Sequence, residues 1–428
     1  MIDRLQLQAN YLIGKYGYTL AILSILVSVL YILFYYNDDG NLRDAGVYFD
    51  SGIAVLKGEN PYVASRWGSF GPVPFSILLS VIPEGIRAIA VRILSLAGIY
   101  VFFRILFPNK RLVEPFAISF IILWTSPVRE LMGTNQMTGI AVGLLALGVK
   151  FLNPFTSFRA ITKETLIGAL FFAMALDLKP HICIFFFLSW VIYKKSFQKF
   201  SMVALTILVT HLIINLSQMR ILEKDWLTSL SGLNKSASQA SLGDSVSFWP
   251  ILNYFIDATS FLYFASILIT CALAGVCFYS AFKGRWEEVL ILSFFIPSTS
   301  IYYHYYDAVP LCVLLVVMLF RIGNPFLESF AISFILIPKE YMSFRNQVLV
   351  LLVVGFLTLR SMTVFKSKKK ELILGSTILG LAASTLLHLI NTWLELSDHL
   401  LQSLIVTESL VIVMILYFYA RARKISVV

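Results

Sequence analysis

The sequence predicts an all-α polytopic membrane protein, a helical bundle with about 11–14 transmembrane helices. Three observations carry that expectation. Of 428 residues, 58% are hydrophobic and only 14% are charged, at a mean hydropathy of +0.81, too few charges to coat a soluble globule of this size. Apolar runs close to the roughly 20 residues that cross a bilayer recur from end to end. No polar block of domain size interrupts them, so residues 1–428 read as a single membrane-embedded domain.

Taken in order, the runs fall at about 18–36, 85–107, 112–125, 135–151, 164–177, 180–193, 200–216, 258–282, 286–300, 305–320, 326–338, 346–364, 372–391 and 401–420. Those near 112, 286 and 326 are short, which sets the lower helix number if some are re-entrant or fused. The first run begins after Gly17 and lacks a small-x-small exit, so it reads as an anchor that stays in place. Lys and Arg sort unevenly across this arrangement, with 22 of the 34 on the side that holds both termini. By the positive-inside rule both termini are cytoplasmic. The net charge of +10 then reflects topology and contact with anionic membrane lipids, and nucleic acid is not an expected partner. The expected location is the plasma (inner) membrane, with the long loops 37–84 and 217–257 on the outer, periplasmic side. Cys183, Cys271, Cys277 and Cys312 all fall within apolar runs and show neither a disulfide framework nor metal-ligand spacing.

The polar chemistry gathers on the outer side, where the histidines His181, His211, His304, His388 and His399 also fall. In the first outer loop, Leu42, Ala45, Phe49, Ile53 and Leu56 recur at steps of three and four, the stripe of an amphipathic helix lying on a surface. Asn41 is placed to cap its start, and Lys57-Gly58 to end it. Asp44, Tyr48 and Ser51 are then expected on the face opposite the stripe. As a first-turn acid, Asp44 would complement the helix dipole by about 0.3–1 kcal/mol; at the membrane rim it is also placed to act as a base. Asp50, six residues on, projects about 120° away, so the two form no close carboxylate pair. Gly58-Glu59-Asn60-Pro61-Tyr62 is a turn, with Tyr62 and Trp67 suited to an interfacial belt. Pro72 and Pro74 break the helix where the chain returns toward the membrane.

Three further groups sit at outer ends of runs. In Asp177-Leu178-Lys179-Pro180-His181, Lys179 and His181 are suited to hold a lipid phosphate, or Lys179 simply snorkels to headgroups. From Ser300 to Asp307, the tyrosines alone would be an aromatic girdle, but the embedded His304 and Asp307 point to a site, with His304 as a phosphate or sugar contact. In the second outer loop, Gln239 within Ser238-Gln239-Ala240-Ser241-Leu242-Gly243 marks either an acceptor-side loop or a plain linker.

Residues 41–74 resemble the first outer loop of the polyprenyl-phosphate-dependent mannosyl- and arabinosyltransferases of glycosyltransferase family 87. The matching positions are Asp44, Tyr48, Gly58, Pro61, Tyr62, Pro72 and Pro74. Lys179-Pro180 and the His304 element are similar to later elements of that family, in the same order. Around Gln239 the chain departs from the family's Asn-Gln-Ser. The resemblance implies a C-type glycosyltransferase-like helical bundle with Asp44 as catalytic base, and with Tyr48, Tyr62, Lys179, His181, Gln239 and His304 as substrate-binding residues. It implies a polyprenyl-phosphate sugar donor as co-substrate and a glycan or glycolipid acceptor, with no cofactor. No metal is expected, since cationic side chains can stabilise a phosphate leaving group and no Asp-x-Asp pair is present.

Two other classes share the many runs and outward polar loops. An O-antigen-type polymerase or ligase would add paired arginines and a larger outer domain in a late loop. A lipid-linked oligosaccharide flippase or transporter would add an internal repeat and charges along the bundle centre.

Overall fold

The computed structural model describes residues 26, 29–30, 45–59, 74–107, 126–216, 247, 249–256, 259–300, 303–322 and 398–423, and every element among these described residues is helical. In chain order the helices are α1 (Ala45–Lys57), α2 (Pro74–Ser80), α3 (Arg87–Leu106), α4 (Ser126–Gly133), α5 (Thr138–Leu152) and α6 (Lys163–Leu178). They continue as α7 (Pro180–Tyr193), α8 (Phe197–Leu216), α9 (Trp249–Ile256), α10 (Thr259–Phe282), α11 (Trp286–Phe295), α12 (Val309–Ile322) and α13 (Asp398–Ala422). Short 3-10 turns cover Ile296–Thr299 and Tyr305–Ala308. The expected runs from 85 to 320 that lie within the described residues coincide with helices to within a few positions at most ends. Those at 112–125, 326–338, 346–364 and 372–391 lie outside them.

The chain forms two compact units with interleaved segments. One comprises Met1–Tyr35, Asn109–Arg129 and Leu311–Val428, the other Tyr36–Pro108 and Glu130–Pro310. In the first, the described residues include α13, which alternates buried Val406, Val413, Leu416 and Ala420 with exposed Val411, Ile415 and Phe418. All the site residues considered below belong to the second unit.

In the second unit α5 is the central helix, packed along α3 on one side and α6 on the other. Its sequence explains the close approach. Gly139-x-x-x-Gly143 presents two residues without side chains to Ser95 and Gly98 of α3, so a Cβ on Gly139 would lie 2.7 Å from the Ser95 carbonyl oxygen. Small residues at a helix contact let the two backbones approach closely. A Gly139→Leu substitution must push α3 away and is expected to cost about 1–3 kcal/mol or more. Thermal denaturation of the purified protein would show it, and an unchanged melting temperature would contradict this packing. An aromatic layer completes the core. Phe294 of α11 stacks on Phe186 of α7 at 5.3 Å and meets Phe102 of α3 edge-on, also at 5.3 Å.

Among the described residues, Glu84–Leu106 and Ser260–Phe282, each of 23 residues, are long and apolar enough to cross a membrane. Thr138–Leu152, Pro180–Tyr193, Phe197–Ile213, Tyr305–Leu319 and Val411–Ala422 are shorter apolar helices.

The amphipathic helix of the first loop is present as α1, but its packed face is rotated from the expected stripe. Ala45 and Phe49 are buried as expected, together with Ser51, Gly52 and Ala54, whereas Leu56 is 59% exposed. Ser51 therefore does not share an open face with Tyr48; its hydroxyl turns back onto the Val47 carbonyl at 2.8 Å. The cause is the small-residue patch: Gly52 sits against the backbone of Ser76, drawing α1 onto α2 along Ser51-Gly52 rather than along Ile53 and Leu56. The C-terminus follows expectation. Gly58 has φ +71°, and the Glu59 and Gly58 amides bond back to Ala54 and Val55 in a Schellman arrangement.

Candidate functional site

The site is organised by one fully buried carboxylate. Asp307 lies in the 3-10 turn Tyr305–Ala308, which the Asp307 amide closes by donating to the His304 carbonyl at 2.9 Å. Four donors converge on its side chain. The Thr138 hydroxyl donates to Oδ1 at 2.8 Å, and the Lys179 ammonium lies 3.4 Å from the same oxygen. On Oδ2, His181 Nε2 approaches to 2.9 Å and the His304 amide donates at 3.3 Å. Because a carboxylate only accepts, Nε2 of His181 carries its proton toward Asp307, and the ring orientation is set.

The positions of Lys179 and His181 follow from one proline. α6 ends at Leu178, and Pro180 occupies the first position of α7, where its missing amide costs nothing. Lys179 is left alone between the helices at φ −143° and ψ 69°. Its carbonyl accepts from the amides of Ile182 and Cys183, which fixes the corner. The ammonium is directed between Asp307 and the ring of Tyr306, 4.8 Å from its centroid, and His304 stacks on the same ring at 5.2 Å. Lys179 is nearly enclosed, while the His181 side chain keeps 24% of its surface exposed.

Tyr48 ties the first-loop helix to this corner. Its hydroxyl donates 3.1 Å to the Leu178 carbonyl, one of the terminal α6 carbonyls that no helical amide reaches. Removing that hydroxyl in Tyr48→Phe is expected to cost about 0.5–1.5 kcal/mol of stability. A melting curve superimposable on that of the unaltered protein would show that this latch is not formed.

Thr138 reaches Asp307 because the turn before α5 is gripped from α3. Arg92, 3% exposed, donates from Nε to the Met132 carbonyl and to Asn135 Oδ1, both at 3.0 Å. Ser95 donates to the Gln136 carbonyl at 3.1 Å. Asn135 takes φ +54°, a left-handed conformation that Asn tolerates better than most residues. A second acid–base pair lies beside the corner, with His211 Nε2 3.1 Å from Asp177 Oδ1. The 3-10 turn ahead of the Tyr305–Ala308 segment is anchored by Trp249, whose indole donates 2.6 Å to the Thr299 carbonyl.

Of the expected site residues, Lys179, His181 and His304 come together around Asp307, and Tyr48 holds the backbone one residue from Lys179. Asp44, Tyr62 and Gln239 lie outside the described residues. Asp50 is on the open side of α1; nearby atoms raise its carboxyl above the ordinary value, and the charge of Arg87 opposes that shift. The sequence marks Asp307 only as an acid beside His304. Sequence spacing does not point to Thr138, Asn135 or Arg92 as parts of the site, although an Arg within a long apolar run and an Asn-Gln pair before a GxxxG stripe are visible signals. Among the described residues, no group of three or more His, Cys, Asp or Glu is placed to hold a metal ion.

Chemically, the arrangement is a preorganised set of cationic and hydrogen-bonding groups at a helix–helix corner. Buried charge holds it in place, and its edge is open at His181. Groups fixed in this way can stabilise developing negative charge without reorganising. Comparison with protein-family models, curated proteins and solved structures yields no match.

Proposed function

We propose that this chain is a polytopic inner-membrane glycosyltransferase with a C-type helical bundle. It would move a sugar, mannose or another hexose or pentose, from a polyprenyl-phosphate donor to an outward-facing glycan or glycolipid acceptor, with inversion. One observation supports this reading above the others. Three elements distant in sequence and similar to family 87 motifs, the Tyr48 helix, the Lys179-Pro180-His181 corner and the His304–Asp307 turn, meet at one place.

In the proposed reaction Asp44 takes the proton from an acceptor hydroxyl as its oxygen bonds to the anomeric carbon. The bond from that carbon to the phosphate oxygen breaks, and the polyprenyl phosphate departs with the electron pair. His181, His304 and Lys179 stabilise its charge. Asp307 keeps Lys179 and His181 in position between turnovers. Tyr62 and Gln239 complete the substrate contacts in this reading.

The test uses the purified full chain in lipid, radiolabelled polyprenyl-phosphate sugars and a panel of glycan and glycolipid acceptors. Label is expected on an acceptor with one of the sugars. Donor that binds yet never passes label to any acceptor would count against the proposal, and label that crosses the bilayer unchanged would favour a transporter.

A further inference from the structure

The end of the second unit remote from the Asp307 site is rich in exposed basic and aromatic side chains, with the exposed carboxylate of Glu164 among them. α6 runs from Lys163 to Leu178, so its two ends lie about 22 Å apart at 1.5 Å per residue. Three turns meet at the far end: residues 153–162 between α5 and α6, 194–196 between α7 and α8, and 283–285 between α10 and α11. They are joined by specific contacts. Lys199 donates to the carbonyls of Leu152 and Asn153 at 2.9 and 2.7 Å, closing the C-terminus of α5. Tyr193 lies against Trp286 at 4.9 Å, and the Lys195 ammonium sits 5.9 Å over the Phe282 ring.

On this surface Arg159, Lys163, Lys194, Lys195, Lys283 and Arg285 are all exposed. Among the described residues, the salt bridge found here is that of Arg285 with Glu288, at 3.5 Å. Beside the cations stand large exposed apolar groups, Phe158, Ile161, Phe282 and above all Phe197 at 77%. Two outward apolar helix faces end here as well. One begins at Phe197 and runs along α8 through Leu205, Leu208 and Leu212; the other runs along α10 through Val276 and Tyr279 to Phe282.

From this geometry we infer that the three turns form a binding surface for anionic phospholipid headgroups. The lysines and arginines bind phosphate, while Phe158, Phe197 and Phe282 enter the acyl boundary. The charge is complementary, and the ring of cations stands where both apolar faces stop, which is headgroup depth. An acidic protein partner would not require exposed rings continuous with lipid-type helix faces. The inference shares only membrane placement with the proposed function and is independent of the transfer reaction.

Full-length protein in phosphatidylcholine nanodiscs, titrated with phosphatidylglycerol, tests this by native mass spectrometry of retained lipid. The unaltered chain should retain phosphatidylglycerol over phosphatidylcholine. Arg159→Ser, Lys163→Ser, Lys195→Ser and Lys283→Ser together should erase that preference, at about fivefold per cation removed. Lys195→Arg with Lys283→Arg should keep it. Raising salt on the unaltered protein reads the same electrostatic contribution without mutation, so a variant that fails to fold does not block the test. Equal retention of the two lipids by the unaltered chain would overturn the inference. So would a preference untouched by both the quadruple variant and salt, or binding of polyglutamate in place of phosphatidylglycerol.

Discussion

Asp44→Asn is expected to lower sugar transfer by about 10²–10⁴-fold while expression, folding and donor retention stay near normal, because general base catalysis by one residue commonly contributes that much. The amide keeps the shape and most of the hydrogen bonding of the carboxylate but cannot take the acceptor's proton. Asp44 directly precedes the buried start of α1, and four residues on, Tyr48 is latched to the Leu178 carbonyl beside Lys179. That latch holds α1 beside Lys179, and in the proposed reaction the base acts at this corner. Donor binding is to be measured separately from turnover, so that loss of chemistry is distinguished from loss of affinity. If Asp44→Asn transferred sugar at the unaltered rate, another residue would have to be the base.

Asp307→Ala is expected to destabilise the second unit by about 3–5 kcal/mol and to abolish transfer, since it leaves the enclosed Lys179 without its counter-charge. The pair Lys179–Asp307 has side-chain exposures of 9% and 0%, so water does not take over the missing contact. Thr138 and His181 lose their acceptor in the same substitution. Lys179→Met with Asp307→Ala should be less damaging than the sum of the single changes, because each group's penalty arises from the other's presence. Additive effects on thermal or denaturant unfolding would show that the two residues are not coupled.

The sequence was most legible where physics is local. Apolar runs marked α3, α5, α6, α7, α8 and α10 to within a few residues at most ends, because hydropathy and the Gly and Pro stops act along the chain. Lys57-Gly58 gave the end of α1 for the same reason, as a residue free to take positive φ follows a basic last turn. The face that α1 buries keeps Ala45 and Phe49 of the expected stripe and departs from it at Ser51, Gly52 and Leu56. It depends on the fit of Gly52 against Ser76 across two helices, and no periodicity within α1 reports that. Likewise residue type and position at helix ends mark Lys179, His181 and His304, but nothing in the sequence marks Asp307 as the group they gather around. That Asp307 binds Thr138, 169 positions earlier, depends on how α5 packs against its neighbours, and sequence spacing carries no sign of it. Arg92 falls within the apolar run of α3, and only its reach to Met132 and Asn135 reveals it as the clamp on the turn that presents Thr138.

The most direct test is a cryo-EM map of the full chain in a lipid nanodisc with bound polyprenyl phosphate. The account predicts phosphate density within about 2.6–3.2 Å of the His181 and His304 side chains, with the Asp44 carboxyl facing the same cavity. Phosphate held at another corner of the bundle, or Asp44 turned away from that cavity, would contradict it.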